Sequence, residues 1–187
     1  MLSNSNIFSN RFARPAKLML AVVFLAIASL GPVFAQSEAG VKTAFLYNFA
    51  KFTEWPASAF AGDSAPITVG FVGADSLADT FEKNVTGKNA NGRDFAVKKL
   101  SGAAGVESCQ IVFVGDASQA AAVVAATKGK PVLLVGDSGG FAAAGGMITF
   151  VVTDGKVSFD LDLGAINAGG LKLDAKLRQV ARNVKGG

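Results

Sequence analysis

Hydrophobic positions in this 187-residue chain recur with two different periods, and the changes between them mark out its elements. From 41 to 56 (VKTAFLYNFAKFTEWP), Val41, Phe45, Asn48/Phe49, Phe52 and Trp55/Pro56 recur at helical spacing. Lys42, Thr43, Lys51 and Glu54 fall largely elsewhere, so the stretch predicts a helix with one aromatic face. It holds the only Tyr and the only Trp of the chain. Burying a large apolar side chain stabilises by roughly 1.5–3 kcal/mol, so leaving the aromatics in water would forfeit about 10 kcal/mol. The helix must therefore dock, most simply on the protein's own core. Tyr47 lies off the stripe, beside Leu46 and Ala50, and marks a second face that a partner or ligand could use.

Three short apolar runs end alike. ITVGFVG (67–73) leads into Ala74-Asp75-Ser76, IVFVG (111–115) into Asp116-Ala117-Ser118, and VLLVG (132–136) into Asp137-Ser138-Gly139. Each reads as a buried strand followed by an Asp or Ser fit to cap a helix. Helical patterns follow the first two, over 77–84 and 119–127. Continuous apolar strands alternating with helices predict a sheet with a parallel core, covered on both faces. A weaker strand is expected over 94–100.

The second half reads differently. Runs at 147–152 and 156–163 flank Thr153-Asp154-Gly155, and Asp-Gly between β-rich runs signals a hairpin. The second arm alternates Val157, Phe159, Leu161 and Leu163 against Lys156, Ser158, Asp160 and Asp162, a half-buried strand near a sheet edge. Asp160 and Asp162 are expected in solvent. A closing helix is expected over 174–184, with Leu173, Leu177, Val180 and Val184 on one stripe. The fold class is thus α/β: a three-layer α/β/α sandwich with a mixed, largely parallel sheet and a C-terminal β-hairpin.

The first 35 residues read as an export signal, with Arg11, Arg14 and Lys17 before a 13-residue apolar run (18–30) and a small-x-small site at Val33-Phe34-Ala35. Cleavage near Ala35 would leave one domain, 36–187, in the periplasm. Three of the 18 basic residues and none of the 14 acidic ones lie in the signal, so the remainder carries only +1. That is no footprint for nucleic acid. Cys109 is the only cysteine, which rules out an intramolecular disulfide and leaves an intermolecular bridge or a buried thiol; its place at the head of an apolar run favours the buried thiol.

Candidate chemistry is sparse. Gly136-Asp137-Ser138-Gly139-Gly140 imitates the surroundings of a nucleophilic serine, but such mechanisms need a histidine and the chain has none. Ser138 with Lys128 or Lys130 would be the surviving dyad; the plainer reading is a turn whose glycines supply positive φ. No metal site and no cofactor is expected. In an open α/β sheet ligands sit beyond the carboxyl ends of the strands. There Asp75, Ser76, Asp116, Ser118, Asp137 and Ser138 would line one rim, and helix N-termini could meet a small anion or zwitterion.

Five blocks also carry a resemblance: 41–56, the Asn91-Gly92-Arg93 turn, CQIVFVG (109–115), 132–152 and 155–184. Together they resemble the YfiR-like family of periplasmic regulators. The resemblance implies a non-catalytic, dimeric protein that represses an inner-membrane diguanylate cyclase by binding its periplasmic sensor domain. It also implies release by an outer-membrane lipoprotein, and small ligands for the fold. The lone Cys109 departs from the disulfides of the best understood member and sets redox control apart from the resemblance. Candidate partner or ligand contacts are Tyr47, Asn48, Phe52 and Trp55 on the first helix, with Phe141, Gly145, Gly146 and Met147 in the loop after Val135. A small-molecule-binding module serving a sensor kinase or transporter is the alternative function.

Overall fold

The computed structural model describes residues 37–186; the expected export signal lies outside them. The first half of the chain runs α1 (Glu38–Phe52), β1 (Thr53–Glu54), β2 (Ile67–Val72), α2 (Asp75–Val85), β3 (Asn89–Ala90), β4 (Arg93–Leu100) and β5 (Ile111–Val114). The second half runs α3 (Ala120–Thr127), β6 (Leu133–Gly136), β7 (Ile148–Thr153), β8 (Lys156–Asp162), α4 (Leu163–Ala168), β9 (Lys172–Leu173), α5 (Ala175–Val180) and β10 (Asn183–Lys185). Eight strands form one mixed sheet in the order β10-β8-β7-β6-β5-β2-β4-β3, and β1 pairs with β9 apart from it. From β4 to β7 all neighbours are parallel; β7–β8 is the antiparallel hairpin, with Asp154 and Gly155 at positive φ in its turn. The protein is therefore the three-layer α/β/α sandwich that the pattern predicts.

Every residue of β2, β5 and β6 is buried, so both faces of the sheet need a roof. Side chains alternate across a strand, and paired residues share a face. One face carries aromatics in contact from edge to edge. Phe159 of β8 meets Phe49 of α1 at 5.0 Å between ring centroids, and Phe49 meets Phe150 of β7 at 5.8 Å. Phe150 leads to Phe113 of β5 and Phe71 of β2, and from there to Phe81 of α2 and Phe95 of β4. α1 and α2 thus lie on this face. The opposite face is aliphatic: Leu134 and Met147 meet Val124 and Thr127 of α3 and Ala165 of α4. Cys109 sits on the neighbouring part of this side, its sulfur beside Gly70 and buried. Burial pushes its thiol pKa up, so it stays protonated and inert.

Three expectations need correction. α1 ends at Phe52, not near Pro56, because Thr53 turns extended and pairs with Leu173 while Pro56 disfavours helical backbone just before it. Its buried stripe is Lys42, Thr43, Leu46, Phe49 and Ala50, offset by about one residue from the aromatic stripe, because α2 and α5 also press on the helix. The C-terminal helix stops at Val180. Ala181 is extended and 183–185 join the sheet as β10, parallel to β8, leaving Val180 and Val184 exposed.

That edge also overturns the expected solvation of Asp160 and Asp162. Asp160 accepts from the Arg182 Nε at 2.8 Å and from Asn183, while Asp162 caps α4 through the Ala165 N–H and pairs with Lys185. The Arg182 hydrogen bonds hold the Asp160 carboxyl below its usual range.

Two predictions follow from this packing. Phe49→Ala removes a fully buried ring from the aromatic seam and should lower the free energy of unfolding by about 3–5 kcal/mol, read by urea denaturation. Because its folded pKa is depressed, Asp160 stabilises above the unfolded value, and the contribution fades as pH falls through the folded one. The advantage of wild type over Asp160→Asn in a denaturation midpoint should thus be present at neutral pH and vanish well below about pH 4.

Candidate functional site

The sheet topology creates one place where neighbouring strands send their chain in opposite directions. After β2 the chain crosses through α2, on the aromatic face, to β4. β5, on the other side of β2, leads through α3 on the aliphatic face to β6. The carboxyl ends of β2 and β5 therefore open a crevice, the usual ligand position in sheets of this kind. A cleft of about 540 Å3 lies there, between α1 and α2.

Gly73 and Gly115 bring the two strand ends together. Gly73 has φ +64°, and a Cβ added there would stand 2.6 Å from the Asp116 Cβ. The floor of the cleft is Phe113, with Leu77, Ala39 and Ala74 around it. Its charged groups are Glu38 and Lys42 of α1, Asp75 at the start of α2, and Asp137 after β6. Lys42 is the unusual member: its side chain is only 9% exposed, and its ammonium meets Glu38 Oε1 at 2.6 Å and Asp137 Oδ2 at 2.7 Å. Burial pulls its pKa down, but the hydrogen bonds and charges of Asp137 and Glu38 outweigh that and raise it. The ammonium is therefore charged at neutral pH, and it straps α1 to the end of β6.

Of the expected rim residues, Asp75, Ser76 and Asp137 line this cleft. Asp116 and Ser118 form their own turn beside it: Asp116 accepts from the Ser118 N–H at 2.8 Å and its hydroxyl at 2.7 Å. Those bonds lower the Asp116 pKa. It is the one expected cap that acts as one, on a short 3-10 turn; Ala74 holds the cap position of α2 without a side-chain bond, and Asp137 caps nothing. Ser138 has a buried hydroxyl with no partner. Lys128 and Lys130 precede β6 while Ser138 follows it, so the strand, about 13 Å long, separates them and the dyad is not assembled. Nor do Gly136, Gly139 and Gly140 adopt positive φ. Gly136 serves instead, with Gly146, to admit the Phe141 ring, which a Cβ at either position would strike.

Most of the remaining candidates sit in internal contacts. Tyr47 packs on Phe95 at 5.7 Å and donates to the Asn89 carbonyl; Asn48 is half-buried. Phe52, half-buried, has the Lys51 and Lys176 ammonium groups 5.7 and 5.6 Å from its ring centre. Trp55 packs edge-on against Phe60 and donates its indole N–H to the Gln110 carbonyl at 3.2 Å. Gln110 was not singled out by the sequence, yet its side chain ties the Thr68 N–H to the Ala59 carbonyl. Phe141, Gly146 and Met147 are buried, while Gly145 is exposed at φ +102°. Lys42 and Glu38 were missed as site residues. The signal that could have found them is their i,i+4 spacing on the first helix.

These features define an α/β domain with a charged cleft at its switch point. Residues 39–182 match the family described as YfiR/HmsC-like, and the chain belongs to that family, one of periplasmic regulators. No curated protein matches the chain. Among solved structures, a conserved domain protein from Vibrio cholerae O1 biovar El Tor str. N16961 is similar at a TM-score of 0.48 and 12% identity. That alignment takes in 64% of this chain and 55% of the other. Among the described residues no helix is long and apolar enough to cross a membrane.

Replacing Lys42 by Met, which keeps the stem and deletes the charge, should cost about 1–3 kcal/mol of stability. Since the folded pKa is raised, the contribution is complete below 10.5 and is lost as pH rises through the higher folded value. Thermal melts of wild type and Lys42→Met should therefore converge only in strong alkali.

Proposed function

We propose that this protein is a non-catalytic periplasmic regulator that binds the periplasmic sensor domain of an inner-membrane diguanylate cyclase and holds the enzyme inactive. One observation carries the reading: the family match extends over 39–182, from the first turn of α1 to the entrance of β10. What is shared with a family of periplasmic regulators is thus the whole three-layer domain rather than a short motif. The absence of any histidine from the chain accords with action by binding.

The proposed mechanism is a shift of population. The regulator binds the inactive conformation of the sensor domain more tightly than the active one. Turning a 1:99 equilibrium into 99:1 needs a differential affinity of about 10⁴. In this reading residues 1–35 direct export and are cleaved near Ala35, the working form 36–187 is a homodimer, and an outer-membrane lipoprotein relieves repression by sequestering it. A small-molecule-binding module serving a sensor kinase or transporter is the second reading, and the cleft between α1 and α2 favours it.

Deleting the gene should raise cellular cyclic di-GMP, and only the form carrying residues 1–35 should restore the low level. Purified regulator should bind the cognate sensor domain in calorimetry. An unchanged nucleotide level together with no binding would move the function to the second reading.

A further inference from the structure

The cleft at the switch point makes two unmet chemical demands. The first is for an acceptor. The Lys42 ammonium has three N–H donors; Glu38 and Asp137 take two, and the third meets no acceptor among the described residues. Beside it, the first intrahelical bond of α2 is made by the Ala78 N–H to the Ala74 carbonyl, so the amides of Asp75, Ser76 and Leu77 have none, and Ala74 offers no side-chain cap. The second demand is for positive charge. Glu38, Asp75 and Asp137 set three carboxylates against one ammonium, a surplus of two negative charges around one cleft.

A dicarboxylate or phosphate would answer the first demand and worsen the second. A simple diamine would do the reverse. An amino acid with an uncharged side chain brings a carboxylate but no net charge. We propose that this cleft binds an α-amino acid with a cationic side chain. Its carboxylate faces the free Lys42 donor and the start of α2, while its two cationic groups face Asp75 and the outer oxygens of Glu38 and Asp137. Phe113 and Leu77 border the aliphatic stem. The cleft volume, about 540 Å3, lies within the range of small-ligand pockets, ~300–1,000 Å3. The proposal draws on the cleft alone and is independent of the cyclase.

The test is isothermal titration of protein expressed from the full chain with L-arginine and L-lysine. L-norleucine, which lacks the side-chain charge, and 1,5-diaminopentane, which lacks the carboxylate, are the comparators. Saturable one-to-one binding is expected for at least one dibasic amino acid, with both comparators weaker by about tenfold or more. Asp75 is exposed, and its charge acts only on the first turn of α2 and on Lys99, so Asp75→Asn should lower the unfolding midpoint only slightly and leave the protein folded at the titration temperature, while losing about tenfold in affinity. The proposal is overturned by absence of binding of either dibasic amino acid, by comparators that bind equally well, or by an unchanged affinity in Asp75→Asn. Any of these outcomes leaves the cyclase reading untouched, since that is read from cyclic di-GMP and sensor-domain binding.

Discussion

The aromatic seam beneath α1 and α2 is the contact on which the rest of the molecule is built. A central sheet with β2, β5 and β6 buried throughout is stable only if both faces are roofed, and on this face the roof is held by rings. They run in contact from Phe159 near one edge to Phe95 near the other. Each aromatic pair adds about 0.5–1.5 kcal/mol beyond the area it buries. Phe49 is the fully buried one of two α1 rings, with Phe45, that meet both arms of the hairpin, Phe150 and Phe159. Its contacts set where α1 lies, and the position of α1 brings Glu38 and Lys42 to the carboxyl ends of the strands.

The cleft is a consequence of that placement joined to chain order. α2 leaves β2 on one face and α3 leaves β5 on the other, so the two strand ends diverge. Gly73 and Gly115 let the loops come together at the base, and Asp137 arrives from β6 to meet Lys42. Burying an ammonium is tolerable only with partners close by; Glu38 and Asp137 are those partners. The same ion pairs that fasten α1 to the sheet thereby make the charged wall of the cleft. Stability and ligand chemistry are coupled at Lys42, which makes Asp75 the cleaner probe of binding.

Strand and hairpin positions were legible because they depend on short-range pattern. Continuous apolar runs, the Asp154-Gly155 turn and the alternation of β8 all survive in the structure. The misreadings came from contacts distant in sequence. Lys42 read only as a position off the aromatic stripe, because its partner Asp137 is 95 residues away. Residues 181–184 continued the expected closing helix, yet β8 offered an unpaired edge and Asp160 an acceptor for Arg182, and a strand won. Trp55 read as part of a helical face, but its indole hydrogen bond reaches Gln110, 55 positions along the chain.

By itself the sequence determined the α/β class, the parallel core, the hairpin and the strand ends that carry Asp75, Ser76 and Asp137, because period and turn chemistry are local properties of the chain. Tertiary structure alone decided which face of α1 is buried, where the C-terminal helix stops, and which of the six rim residues share one cleft. Those outcomes depend on which strands become neighbours and on the charge a distant loop presents, and neither is written in any one segment.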